Sequence, residues 1–344
     1  MVILGIETSC DETAASVVEG GKGGVFVLSN IVSSQIEIHK KYSGVVPEIA
    51  AREHVLNILP VINEALEAAG IGREEAAKKL DAIAVTVGPG LITSLMVGVE
   101  TAKVLSYIWK LPVIPMNHIE GHIRANYIGE GKVNLPAIIL TVSGGHTMLV
   151  LMDKKGSMKT IGQTRDDAAG EAFDKAAKLL GLGYPGGPIV SKTAASFAAS
   201  GKDCEIKLPR PMLNEPNFDF SFSGLKTALL YQVKKDQKYK ERVSEYCFEF
   251  ERAVVETLVG KTIKAAKKYK VKTIMLAGGV AANSALRDEF IAAAKRNDLD
   301  YKIPELKYTT DNAAMVAAAG IFRAKEKSFI PWQKLKADCS LDFK

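Results

Sequence analysis

Two stretches of this chain repeat one plan. Val2-Ile3-Leu4-Gly5-Ile6 reads as an apolar strand, Glu7 to Glu12 as a polar turn and Thr13 to Val18 as a second strand. At 137–153 the plan returns, with Ala137 to Val142 as a strand, Ser143-Gly144-Gly145-His146 as a turn and Thr147 to Met152 as a strand. Hairpins are common in α/β proteins. Here both tips combine Ser or Thr with a small or acidic neighbour, and one hairpin opens each half, so an internal duplication is predicted. With 344 residues, the chain has the length of two ordinary domains. No linker or low-complexity stretch separates the halves, which predicts two lobes packed around a cleft.

The segments between the hairpins read as parallel-sheet architecture. Pro47 opens an amphipathic helix reaching Ala69, with proline in its first turn. Asp81 to Val87 is an apolar strand suited to a sheet covered on both faces, and it runs through Gly88-Pro89-Gly90 into a helix over about 92–108. Strand, glycine loop, helix is how such sheets offer helix N-termini to ligands. In the second half, 167–180 is predicted helical, 183–188 a stiff loop and 200–224 irregular. A long helix follows over roughly 240–270, then a strand at 272–277, a Gly278-Gly279 turn, a helix opened by Asn283-Ser284 and an Ala-rich helix over about 312–325.

Composition excludes little. A net charge of +6 permits a polyanionic partner, with Lys40, Lys41, Lys264, Lys267, Lys268, Lys270 and Lys272 as candidate phosphate contacts or simply solvated lysines. The four cysteines form no C-x-x-C pair, which argues for reduced thiols. No run approaches a membrane span and the N-terminus reads directly as a strand, so a cytoplasmic protein is expected.

His118 and His122 are four residues apart. On a helix they share a face and can chelate one metal, and a distant carboxylate, such as that in Thr309-Thr310-Asp311-Asn312, could complete the site. The same spacing also occurs in helices that bind nothing. Glu120 follows neither the zincin nor the inverzincin placement, so peptide hydrolysis is not expected. His39 and His54 read as surface or packing residues. Ser143-Gly144-Gly145 and Gly278-Gly279 end apolar strands and leave backbone amides open to a nucleotide, while Walker and Rossmann fingerprints are absent. Asn283 is a helix cap or a purine or ribose contact, and Asp174 a solvated charge or a ligand-facing acid.

Seven ordered motifs then carry a resemblance. They are Gly5-Ile6-Glu7-Thr8-Ser9-Cys10-Asp11-Glu12-Thr13, His118-Ile119-Glu120-Gly121-His122, Val142-Ser143-Gly144-Gly145-His146-Thr147, Asp167 to Lys175, Gly183 to Pro188, Phe220 to Lys226, and Gly278 to Asn283. Together they resemble the transferase family that forms threonylcarbamoyladenosine in tRNA (TsaD in bacteria), over residues 1 to about 319 and in its bacterial form. The resemblance implies an α/β, actin-like ATPase fold of the sugar kinase, Hsp70 and actin group, made of two RNase H-like lobes. The expected division is 1–132 plus 320–344 for the lobe with the metal histidines and the partner-docking face, and 133–319 for the nucleotide lobe.

The resemblance implies metal ligands at His118, His122 and Asp311, for one divalent cation, iron(II) ahead of zinc. Ligand contacts are implied at Thr141, Val142, Ser143, Gly144, Gly145, Asp174, Gly187 and Asn283, with Asp11 and Glu12 as candidate catalytic acids on the phosphate side. The implied reaction moves a threonylcarbamoyl group from threonylcarbamoyl-AMP, leaving an adenine nucleotide, onto adenosine 37 of tRNAs that read ANN codons. Implied partners are tRNA, a TsaB-like paralogue and a TsaE-like ATPase, with no membrane. Where many members carry an acid just after the Tyr-Pro-Gly-Gly-Pro loop, this chain has Ser191, and Lys103-Val104 departs mildly from the histidine signature. A sugar kinase, a metalloprotease and a non-catalytic scaffold are the competing functions.

Overall fold

The computed structural model describes residues 1–130 and 133–343. The chain divides into two compact units, Met1–Lys132 with Pro304–Phe343, and Val133–Ile303. The break read at 132 and the final residue 344 touch positions outside the described residues.

The sheet of the first unit contains β1 (Val2–Glu7), β2 (Glu12–Gly20), β3 (Val25–Ser34), β4 (Ala82–Gly88) and β5 (Val113–Asn117), in the order β3-β2-β1-β4-β5. β1 is antiparallel to β2, β2 to β3, and parallel pairing joins β1 to β4 and β4 to β5. The second unit contains β6 (Ala137–Val142), β7 (Thr147–Met152), β8 (Met158–Gln163), β9 (Thr273–Ala277) and β10 (Asp300–Lys302). Read as β8-β7-β6-β9-β10, its order and strand directions reproduce the first sheet strand for strand. Even a register shift recurs, at Val17/Val18 in one antiparallel pair and Leu149/Val150 in its counterpart. The duplication predicted from two hairpins therefore extends through both sheets.

Helices cover both faces of the first sheet, which is why β4 is buried along its whole length. Pro47–Ala68 and Ile92–Trp109 pack on one face around Leu4, Ile6, Ile83 and Val85. The helix Ala313–Lys325 packs on the other, around Ile3, Ala84 and Ile114. Its small residues allow close approach. A Cβ on Gly5 would stand 2.4 Å from the Ala313 carbonyl oxygen, and one on Gly320 would stand 2.8 Å from the Ala84 Cβ.

This packing moves the expected boundary. Residues 304–319, read from sequence as part of the second unit, belong to the first, because the Ala-rich helix and the tract before it close that unit's core. The second unit has one core, built from β6, β7 and β9 and the helices Ala169–Leu179, Gly186–Ala199, Ser223–Lys235, Val243–Tyr269 and Ser284–Arg296. Two of these helices occupy segments read from sequence as a loop or left unassigned. Among the described residues, no single helix is long and apolar enough to cross a membrane.

Candidate metal centre and nucleotide site

In the first unit, β5 ends at Asn117, whose side chain accepts hydrogen bonds from the Ile119 (2.8 Å) and Glu120 (3.3 Å) amides and so starts the helix His118–Arg124. One turn of that helix sets the two imidazoles edge to face, with ring centroids 4.6 Å apart. The second contribution comes from the far end of the chain. Asp311 Oδ1 lies 3.1 Å from His122 Nε2 and 3.5 Å from His118 Nε2. Three ligand atoms on a cation at metal–ligand distances near 2.1 Å stand about 3.4 Å apart in tetrahedral geometry; both Asp311 separations match that, and the three donor atoms all lie within 4.8 Å of one another.

A further observation supports the fit. His122 is buried, and its Nε2, although 3.1 Å from Asp311, makes no hydrogen bond among the described residues. A buried polar atom without a partner is costly, and a cation relieves that cost. Asp311 sits just before the Asn312 cap, which accepts from Met315 N at 3.0 Å. The Asp311 carboxylate is therefore not spent as that cap.

Glu7, which the sequence places in a turn and a motif without a role of its own, supports the triad. It is fully buried. Its Oε2 lies 3.2 Å from His118 Nδ1 and accepts from the Thr86 hydroxyl at 2.6 Å, while Oε1 accepts from the Ser9 amide at 2.6 Å. A carboxylate on the far nitrogen fixes the ring and leaves Nε2 facing the triad. Burial alone would raise the Glu7 carboxyl, yet the adjacent His118 ring draws it below its ordinary value. Burial opposes charge on His118 too, but Asp311 and Glu7 outweigh it and raise that imidazole to about 9. The signal in the sequence was an acid at the end of an otherwise apolar strand.

Glu120 is turned away from the histidines. It binds Arg323 at 2.7 Å and lies 3.7 Å from Arg124, so it is not placed as a protease base. Asp11 and Glu12 close the tip of the same hairpin. Burial first, then the Asp11 and Asp311 charges, push the Glu12 carboxyl well above the usual range. His39 and His54, read as surface or packing residues, are both fully buried. His54 pins the tip, with Nε2 2.9 Å from the Cys10 carbonyl oxygen and Nδ1 2.7 Å from the Thr13 hydroxyl.

In the second unit, the tip at Thr141 to Gly145 is crowded from two sides. A Cβ on Gly170 would stand 2.6 Å from the Ser143 carbonyl oxygen, and one on Gly278, whose φ is +91°, would stand 2.3 Å from that of Val142. Only glycine satisfies both demands at Gly278. Gly144 and Gly145 are exposed and a Cβ on either would meet open space, so packing does not demand glycine there. Thr141 is buried with no partner for its hydroxyl among the described residues.

Asp174 is not a solvated charge. It accepts from the Gly186 amide at 2.7 Å, and the neighbouring Gly187 amide favours its charged form, so two predicted ligand residues meet at the start of Gly186–Ala199. Burial pushes its carboxyl up against these bonds. Asn283 is a cap, accepting from Leu286 N at 2.8 Å, but its Nδ2 also donates to Glu251 at 2.6 Å. Two of the proposed phosphate-binding lysines have internal partners, Lys264 on the Glu215 carbonyl and Lys268 over the Phe218 ring.

Among solved structures, full-length HypF in its phosphate- and nucleotide-bound form matches at TM-score 0.60 and 13% identity, covering 96% of this chain and 47% of that one. The activator of 2-hydroxyisocaproyl-CoA dehydratase from Clostridium difficile matches at TM-score 0.52 and 13% identity, covering 95% of this chain and 97% of that one. At such identity they show the fold alone, which is the actin-like ATPase fold. Sequence relatives are far more similar. The tRNA N6-adenosine threonylcarbamoyltransferase of Syntrophomonas wolfei is 50% identical, over 96% of this chain and 94% of its own length. That of Caldicellulosiruptor saccharolyticus is 49% identical, over 94% and 93%. The TsaD family model, described as tRNA N6-adenosine threonylcarbamoyltransferase, matches residues 26–318. By family match and by relatives aligned over nearly their full length, the chain belongs to the tRNA N6-adenosine threonylcarbamoyltransferase family and is a transferase.

Proposed function

We propose that this enzyme transfers the threonylcarbamoyl group of threonylcarbamoyl-AMP to the exocyclic amine of adenosine 37 in tRNAs that read ANN codons. The observation that carries the reading is the His118, His122 and Asp311 triad, in a chain about half identical to transferases of that name. The acceptor amine is a weak nucleophile, because its lone pair is delocalised into the purine ring. Rate must come from alignment of the partners and from stabilising the charge that develops as the acyl–phosphate bond breaks.

His118, His122 and Asp311 hold one divalent cation, of which iron(II) and zinc both suit two imidazoles and a carboxylate. Bound there, the cation supplies Lewis-acid polarisation of a phosphate or carbonyl oxygen. Glu7 holds the His118 ring in its liganding orientation. The Asp11 and Glu12 carboxyls, adjacent at the hairpin tip, receive the proton shed by the attacking amine. In the second unit, the backbone of 141–145 and the Asp174–Gly187 corner hold the adenylate, with Asn283 at the purine or ribose. A TsaB-like paralogue and a TsaE-like ATPase assist by family analogy, and the cytoplasm is where the substrates meet.

The test is mass spectrometry of nucleosides from tRNA incubated with this protein, threonylcarbamoyl-AMP and those partners, alongside metal analysis. Threonylcarbamoyladenosine should form. The double substitution of His118 and His122 by Ala should lose both bound metal and product while keeping a cooperative melt. Full product from that variant would remove the triad from the reaction.

A further inference from the structure

Three elements of the second unit converge on one buried carboxylate with no assigned role. Glu251 lies within the helix Val243–Tyr269 and is 6% exposed. Its Oε1 accepts from Asn283 Nδ2 at 2.6 Å, and the Ser191 hydroxyl, from the helix Gly186–Ala199, stands beside the same carboxylate and favours its charged form. Asn283 Oδ1 is meanwhile committed to the Leu286 amide. Both ends of the Asn283 side chain are thus fixed, the oxygen by its own helix and the nitrogen by Glu251. An amide with only one end tied can rotate or flip. Tied at both, it presents its remaining N–H and lone pair in one direction.

We infer that Glu251 is a positioning residue for nucleotide binding: it sets the orientation of Asn283, and Ser191 is the neutral donor that lets a carboxylate occupy that place. The inference rests on the reading of Asn283 as a nucleotide contact. It makes a demand on Ser191 as well. An acid at 191 would set a second carboxylate against Glu251, where the donor hydroxyl now stands, and two like charges beside a buried carboxylate cannot both ionise without cost. The two positions should therefore be coupled, with Glu251 compatible with a donor at 191 and a neutral amide at 251 able to accept an acid there.

The experiment titrates a fluorescent N-methylanthraniloyl ATP into the full-length protein and its variants, with melting temperatures as a folding control. Asn283→Ala should weaken binding, and Glu251→Ala should weaken it about tenfold, as expected for losing one charge-assisted hydrogen bond that orders a contact. Glu251→Gln keeps an acceptor for Asn283 and should stay within about threefold of the native chain. Ser191→Asp should lose about tenfold, and the double variant Ser191→Asp with Glu251→Gln should recover most of that loss. A residue that merely filled space would not show this reciprocal rescue. If Asn283→Ala weakens binding while Glu251→Ala does not, or Ser191→Asp behaves alike with Glu or Gln at 251, the inference falls and the nucleotide reading stands. If the native chain does not bind the probe, or Asn283→Ala binds it as tightly, both fall together.

Discussion

At the scale of single residues, His118 shows how a candidate metal site is prepared electrostatically. A buried imidazole ordinarily loses its proton, yet carboxylates at both ring nitrogens, Glu7 at Nδ1 and Asp311 at Nε2, raise it to about 9. A histidinium cannot ligate a cation, so loading at neutral pH must expel a proton. Calorimetric titration of zinc into chelator-treated protein, in buffers of different ionisation enthalpy, should show release of about one proton at pH 7. The stability consequence has a definite sign. The folded value lies above the ordinary 6.5, so in metal-free protein the ion cluster stabilises fully below 6.5 and ceases to do so as pH rises through about 9. The melting temperature lost on His118→Gln, measured without metal, should be largest near pH 6 and shrink toward pH 9.5, for a contribution on the order of 3 kcal/mol. A loss that stayed constant across that range would show that His118 is neutral in the apo protein.

Helix starts show what the sequence made legible and why the rest was hidden. Two helices that carry their own cap start where the sequence predicts. Asn283 opens Ser284–Arg296 and Asn312 opens Ala313–Lys325, each bonding an amide three residues on. Two others are capped from a distance and start inside segments whose local composition predicts a loop or irregular chain. Gly186–Ala199 starts on Asp174, twelve residues back, in the segment read as a stiff loop. Ser223–Lys235 starts on Asp166, which accepts from the Phe222 amide at 2.8 Å, the Ser223 amide at 3.2 Å and the Ser221 and Ser223 hydroxyls at 2.6 and 2.8 Å. A window of local sequence cannot contain such partners. Strands follow the same logic. The hairpins and the strands β4 and β9 announce themselves by continuous apolar runs, while β3 is half exposed and β10 has three residues. The candidate triad was legible in part for the same reason, since His118 and His122 share one helical turn, whereas Glu7 joins them only through tertiary structure.

The distant cap carries its own prediction. Its four bonds hold the Asp166 carboxyl below the ordinary 3.8 even though burial opposes them, so their contribution is present above 3.8 and is lost as pH falls through the depressed folded value. Asp166→Asn should cost about 1 kcal/mol, the size of a lost helix cap, because solvent screening at this exposed carboxylate discounts the charge. In thermal melts the gap between the native chain and this variant should hold steady at neutral pH and close below about pH 4.

At the scale of the whole chain, the duplicated sheets differ in how they are completed. The first needs a segment from the far end of the sequence. Its open face is covered by Ala313–Lys325, and the same return brings Asp311 to the histidines, so one excursion of the chain closes a core and completes the candidate triad. The second unit is continuous from Val133 to Ile303 and draws its core from that span alone. Two fragments that differ only at the end distinguish this division from the one read at 320. A fragment of 133–303 should fold cooperatively, with a single melting transition and a monomeric elution volume, because every strand and core helix of its unit is present. Extending it to 319 adds the first half of a helix whose apolar side chains are buried in the first unit. Without that sheet they meet water, so the longer fragment should elute with aggregates and gain no stability. A higher melting temperature for 133–319 than for 133–303 would return those residues to the second unit, and would mean that Asp311 reaches the histidines from a neighbouring domain rather than from within one.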